Sequence, residues 1–267
     1  MGSRPVRVGN AAYDHVQKDC EGDFMNALYL YYLRSRYRKY ILDSMPSIDA
    51  ISRWCIGSWR HKSTSLWEER TEKKHFVHTK MMDWVALDRA CRLKIAAGQD
   101  RAARRLRWES EAIKNDILKK GFDPKINSFV KYYGTTQTDA ALLTMPIYGF
   151  MDANDARYIG TFNRIIERLM LASGLLLRRE GDYEGRDSHP FTLVSTWFAR
   201  VCIRMGRRDK AKAAINNLLR YSTSSMLLAE RADEKARRPV GNFPQLFPHA
   251  GLVQAILEYE HPKLMLA

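Results

Sequence analysis

The stretch SLWEERTEKKHFVHTKMMDWVALDRA, Ser65 to Ala90, decides the fold class. From about Lys74 onward, Trp84, Leu87, Cys91 and Ile95 recur at i, i+3, i+7 and i+11. That spacing predicts a long helix with an apolar face, and Gly98 supplies its stop. Ahead of the helix stands Trp67-Glu68-Glu69-Arg70. One reading is a polar loop with a chance tryptophan. The other is a carboxyl group held at a helix entrance beside an indole. Partial desolvation by the ring raises a carboxyl pKa and suits a general acid, and the ring offers a sugar a flat apolar face.

The helical period continues on both sides. Residues 23–40 carry Phe24, Leu28, Tyr31 and Tyr32 at helical spacing, and Pro46 reads as an N1 proline. Residues 100–120 form the next helix, closed by Gly121 and Pro124. Residues 139–146 read as a buried helix, with Asp139 as N-cap. Residues 156–172, 191–205, 209–221, a short 225–233 and 244–260 complete the set, and 181–190 reads as a polar turn. Period-2 alternation is scarce and no low-complexity linker divides the chain. The expectation is one all-α domain of antiparallel helix pairs over residues 1–267.

The chain has 267 residues, 45% of them hydrophobic, enough for a sizeable core. The first ten residues hold no apolar signal core, and the longest apolar stretch, AALLTMPIYGFM, is too short to span a bilayer. A cytoplasmic protein with no membrane partner is expected. Cys20, Cys55, Cys91 and Cys202 are far apart, which reads as buried thiols rather than a metal site or disulfide framework. Lys plus Arg is 44 and Asp plus Glu is 30, so the net charge is 44 − 30 = +14. The basic residues are dispersed and match no nucleic-acid-binding motif, so no specific nucleic-acid partner is expected.

Two further constellations stand out. In SMLLAERADEKARRPVGNFPQLFPHAGLV, Ser225 to Val253, Glu230 follows an apolar turn, and Asn242, Gln245 and His249 are candidates to anchor loops. Glu230 itself reads alternatively as a helix cap. In LLLRREGDYEGRDSHPFTLVSTWF, Arg178 suits a substrate hydroxyl or an ion pair with Glu180.

Taken in order, GSRPVRVGNAA, SLWEER, HFVHTKMMDWVALDRA, DAALLTMPIYGF, FTLVSTWF, LLAE and GNFPQLFPHAGL resemble the second half of a family-fifteen glycoside hydrolase. This is the family of glucoamylases, glucodextranases and certain trehalases. The resemblance implies an (α/α)6 toroid and inverting hydrolysis of α-glucosidic bonds, with an α-glucoside or α-glucan as substrate. It implies no metal and no organic cofactor. It assigns Glu68 as general acid and Glu230 as general base, with their carboxyls roughly 6.5–9.5 Å apart to admit a water. Trp67 and Arg178 match positions that line the glucose site.

The resemblance also implies that the toroid's first helices and a Trp-Leu-Arg-Asp glucose-gripping motif are missing here. A second polypeptide supplying that half, self-association, or a catalytically inactive helical binding protein are the readings that follow, because inner helices without partners expose apolar surface. Departures from the family pattern fall at Lys18, Glu21, Lys62-Ser63, Arg179, Ser188-His189 and Arg231-Ala232.

Overall fold

The computed structural model describes residues 15–69, 71–181 and 189–265. The GSRPVRVGNAA segment, Arg70 and most of the 181–190 turn, Ser188 included, lie outside the described residues. The chain divides into two compact units, residues 1–113 and 114–267.

In the first unit, α1 (Asp19–Ser35), α2 (Arg38–Asp43) and α3 (Met45–Ser58) precede the long α4 (Val77–Ala96), and α5 (Asp100–Lys120) runs on past the unit's end. The helix expected over 23–40 is broken, because Arg36 turns left-handed with φ 55° and caps α1. Pro46 lies in the first turn of α3, as its fixed φ favours. Gly98, with φ 79°, ends α4 where the sequence placed its stop.

α4 differs from the amphipathic helix its spacing suggests. Trp84, Leu87 and Cys91 are buried, but so are His78, Lys80, Asp83, Arg89 and Lys94, while Ile95 is 43% exposed. A helix buried nearly all round must pair its charges internally. Lys18 meets Asp83 at 3.4 Å, Lys94 meets Asp49 at 2.6 Å, and Arg89 reaches Asp88 and the Asn26 side chain. α1 packs closely on α4 at Gly22, where a β-carbon would lie 2.7 Å from the Met82 carbonyl oxygen.

The second unit opens with a small antiparallel hairpin, β1 (Phe122–Asp123) and β2 (Ser128–Phe129), pairing Phe122 with Phe129. Asp139 accepts from the Ala141 N–H at 2.8 Å, the expected N-cap, but the segment it caps is a 3-10 turn, Ala140–Leu143, leading into the short α6 (Thr144–Ile147). α7 (Ala156–Leu169) is capped by Asp155 and packs on β2. α8 (Thr192–Arg204), α9 (Arg208–Leu219) and α10 (Leu246–Glu260) share a core of Ala199, Ile215, Leu218, Leu228, Leu252 and Ala255.

The short helix expected over 225–233 is not found. Residues 226–229 are irregular, and β3 (Arg231–Asp233) pairs with β4 (Arg238–Val240). The Ala232 N–H donates to the Pro190 carbonyl, and Phe191 bridges Arg231. These distant partners outweigh the local helix propensity of Met-Leu-Leu-Ala.

Two predictions follow from the packing. At Gly160 in α7, a β-carbon would lie 2.1 Å from the Asn127 carbonyl oxygen of the β1–β2 turn. Gly160→Ala should therefore destabilise the fold by about 1–3 kcal/mol, read as a lowered urea midpoint. His78 is buried with Nδ1 lacking a hydrogen bond, and burial pushes its pKa from 6.5 down to about 4. The unfolded chain takes up this proton first, so the stability His78 contributes is present above about pH 6.5 and lost as pH falls through about 4. His78→Phe should flatten the stability slope across that window by roughly 3 kcal/mol, measured by urea unfolding at several pH values.

Candidate active site

In the first unit, the candidate acid sits on a loop closed at its base by a two-bond bridge. Ser63 and Lys74 exchange backbone hydrogen bonds, both at 2.9 Å. Inside it, the Ser65 side chain accepts from the Trp67 N–H at 3.1 Å, and the Ser65 carbonyl accepts from the Glu68 N–H at 3.2 Å. The resulting turn places Glu68 in the left-handed region at φ 54°. For a glutamate that conformation costs of order 1 kcal/mol, and such strained residues cluster at functional sites.

Glu68 lies well before the N-cap of α4 at Phe76, so it is a loop residue rather than one at the helix entrance. The two adjacent acids divide. Glu68 is exposed rather than desolvated by Trp67, and Glu69 beside it is 8% exposed.

The loop is held from two directions. On one side, buried lysines bond the carbonyls at and just past the end of α3: Lys18 Nζ donates to the Ser58 oxygen at 2.7 Å, and Lys80 Nζ donates to the Trp59 and His61 oxygens. Cations at a helix C-terminus complement its dipole. On the other, the Thr64 N–H donates to the Val16 carbonyl, and Gln17 Nε2 donates to the Leu66 carbonyl at 3.4 Å. The same segment brings in Asp19 at the head of α1. Burial pushes the Asp19 pKa up to about 6, and the charges of Asp23, Glu21 and Glu68 add to that rise. The sequence reading missed Asp19; nothing in its local pattern marks it.

In the second unit, Arg178 and Glu230 are tied to one short segment. The Arg178 guanidinium lies 5.6 Å from the Phe191 ring centroid, and Arg178 is 8% exposed. Glu180 is engaged instead by Arg164 and Arg168. Thr192, next to Phe191, donates its N–H to the Glu230 carbonyl at 3.0 Å and its hydroxyl to the Ala229 carbonyl at 2.6 Å.

Glu230 is not a helix cap. Its N–H donates to the Asn242 carbonyl at 2.9 Å, and its Oε2 accepts from the Asn242 N–H at 3.2 Å. Gly241, φ 80°, makes this approach feasible: a β-carbon there would lie 2.8 Å from Glu230 Oε2. One face of the carboxylate is thus fixed by backbone.

Among the described residues there is no group of three metal-ligating side chains, and no helix is long and apolar enough to cross a membrane.

Comparisons with known proteins give the family and the fold. The profile of the glycosyl hydrolases family 15 matches residues 1–216. The chain belongs to that family. Trp67, Glu68 and Arg178 fall within the matched stretch and Glu230 beyond it. Trehalase 2 of Sulfolobus acidocaldarius is 44% identical over 260 residues, 97% of this chain and 45% of the relative. A trehalase of Thermoplasma acidophilum is 35% identical over 266 residues, 97% of this chain and 44% of the relative. The chain therefore spans less than half the length of these curated relatives. A glycosidase solved in complex with glucose superposes with a TM-score of 0.80 at 15% identity, covering 95% of this chain and 69% of the other. The fold is that of the (α/α)6 glycosidases, shared with solved glucoamylases.

Lys18, one of the departures expected from the family pattern, forms a buried ion pair. Its side chain is 2% exposed and that of Asp83 is 1% exposed. Lys18→Met should strip Asp83 of its buried ammonium partner and Ser58 of its donor, at a cost of about 3–5 kcal/mol. Adding Asp83→Leu should recover most of that loss. Urea midpoints of the two single variants and the double variant check this.

Proposed function

We propose that this chain carries the acid and base of an inverting α-glucoside hydrolase, with trehalose as its first substrate. Glu68 donates the proton to the leaving glycosidic oxygen. Glu230 takes the proton of the water that attacks the anomeric carbon from the opposite face. Trp67 offers its ring to the sugar, and Arg178 donates hydrogen bonds to its hydroxyls.

The observation that carries this reading is the clamp on Glu230. A base must present a carboxylate oxygen in a fixed orientation: the Asn242 N–H bonds one oxygen, Gly241 leaves room for it, and Thr192 holds the Glu230 backbone carbonyl. The exposed, left-handed Glu68 suits a group that meets its substrate from solvent. Trehalose is chosen over longer glucans because the curated relatives are named trehalases. No metal or organic cofactor enters the scheme.

A second polypeptide is the partner proposed beside the glucoside. Leu246, Phe247, Val253 and Leu257 of α10 are 44–77% exposed, an apolar face suited to protein contact. A cytoplasmic location is in keeping with the free Cys20, Cys55, Cys91 and Cys202.

The test compares two substrates. Trehalose needs its leaving group protonated; α-glucosyl fluoride does not. Glu68→Gln should lower trehalose turnover by roughly 10²–10⁴-fold while sparing the fluoride. Glu230→Gln should abolish both. Full trehalose turnover by Glu68→Gln would sink the assignment.

A further inference from the structure

We propose that His249 is a positioning residue for the general base: its ring latches the backbone just ahead of Glu230 to the start of α10. The inference rests on the reading of Glu230 given above.

The geometry is closed at both ring nitrogens. The Leu228 N–H donates to His249 Nε2 at 3.0 Å. Nε2 is therefore the unprotonated nitrogen, so Nδ1 bears the hydrogen and donates to the Gln245 carbonyl at 2.5 Å. Gln245 in turn donates its N–H to the Leu228 carbonyl at 3.1 Å. Leu228 is thus held through both its backbone groups, one by the ring and one by the N-cap residue of α10.

The latch is rooted in packed structure. Leu228 is fully buried and shares the core of Leu252 and Ala255, both on α10. Glu230 follows two residues later, and its own bonds to Asn242 form the next rung between the same two strands of chain. The 229–244 loop is therefore closed at its mouth by His249 and at its waist by Asn242. A buried N–H without its acceptor drives the backbone to shift until it finds one. At Leu228 such a shift passes directly to the Glu230 carboxylate.

A displaced base slows the chemical step more than it weakens ground-state binding. His249→Leu should lower kcat for trehalose by roughly 10–100-fold, with KM changed by less than about threefold. Glutamine places an acceptor oxygen where Nε2 was, so His249→Gln should stay within about threefold of wild type. Asparagine reaches only the Nδ1 position, so His249→Asn should behave like the leucine variant, and it serves if His249→Leu does not fold.

The experiment measures trehalose kinetics and amide exchange at Leu228 in all three variants and in Glu230→Gln. The proposal expects Leu228 protected in wild type and His249→Gln, unprotected in the other two His249 variants, and kcat following the protection. Loss of protection with unchanged kcat would overturn it. So would a kcat in His249→Gln as low as in His249→Asn while the Leu228 amide stays protected. An active Glu230→Gln would instead sink the base assignment, and the exchange data would then judge the latch alone.

Discussion

The buried ammonium of Lys18 is the contact on which the first unit's loop geometry depends. A charge 2% exposed is tolerated only where it is both paired and hydrogen-bonded, and Lys18 has the Asp83 carboxylate and the Ser58 carbonyl. Burial pushes the Asp83 pKa up to about 6, and Lys18 opposes that rise. The pair joins the residue before α1 to the middle of α4 and to the end of α3. Lys80 repeats the device one turn along the chain, at Trp59 and His61. The loop bearing Trp67 and Glu68 leaves from these bonded carbonyls, so two buried lysines hold its origin.

The two candidate carboxylates are held by opposite means. Glu68 projects from a turn that its own neighbours Ser65 and Trp67 build, on a loop closed by Ser63 and Lys74. Glu230 is held from beyond its own turn: Thr192, 38 positions earlier, bonds its carbonyl, and Asn242 bonds it across the 229–244 loop beside Gly241. A proton donor that meets a leaving group from solvent needs an exposed side chain. A base that orients a water needs an oxygen already committed to one direction. The structure gives each residue the support that suits its proposed task.

Much of this was legible in the sequence because it is local. The bounds of α5, Asp100 and Lys120, follow from an acidic first turn and a basic last turn ahead of Gly121. Asp139 and Pro46 act where capping chemistry puts them. His249 and Asn242 were recognisable as loop anchors, although not what they hold. The failures have non-local causes. The 225–233 segment looks helical until Pro190, Phe191 and Val240 claim it as a strand. Ile95 completes an apolar spacing yet points to solvent, while Lys80 and Asp83 on the same helix are buried. No periodicity shows that a lysine from before α1 will neutralise an aspartate on α4. Asp19 was invisible for the same reason, since its meaning comes from a loop some fifty positions later.

The central claim is an inverting acid–base pair, and the anomers of the released sugar test it most directly. Trehalose joins two glucoses through α bonds. Inversion releases one as the β anomer and leaves the other α, in equal amounts before mutarotation. Proton NMR of the first turnovers should show both anomers equally. Glucose appearing only as the α anomer would mean retention through a covalent intermediate, and would contradict the roles given to Glu68 and Glu230.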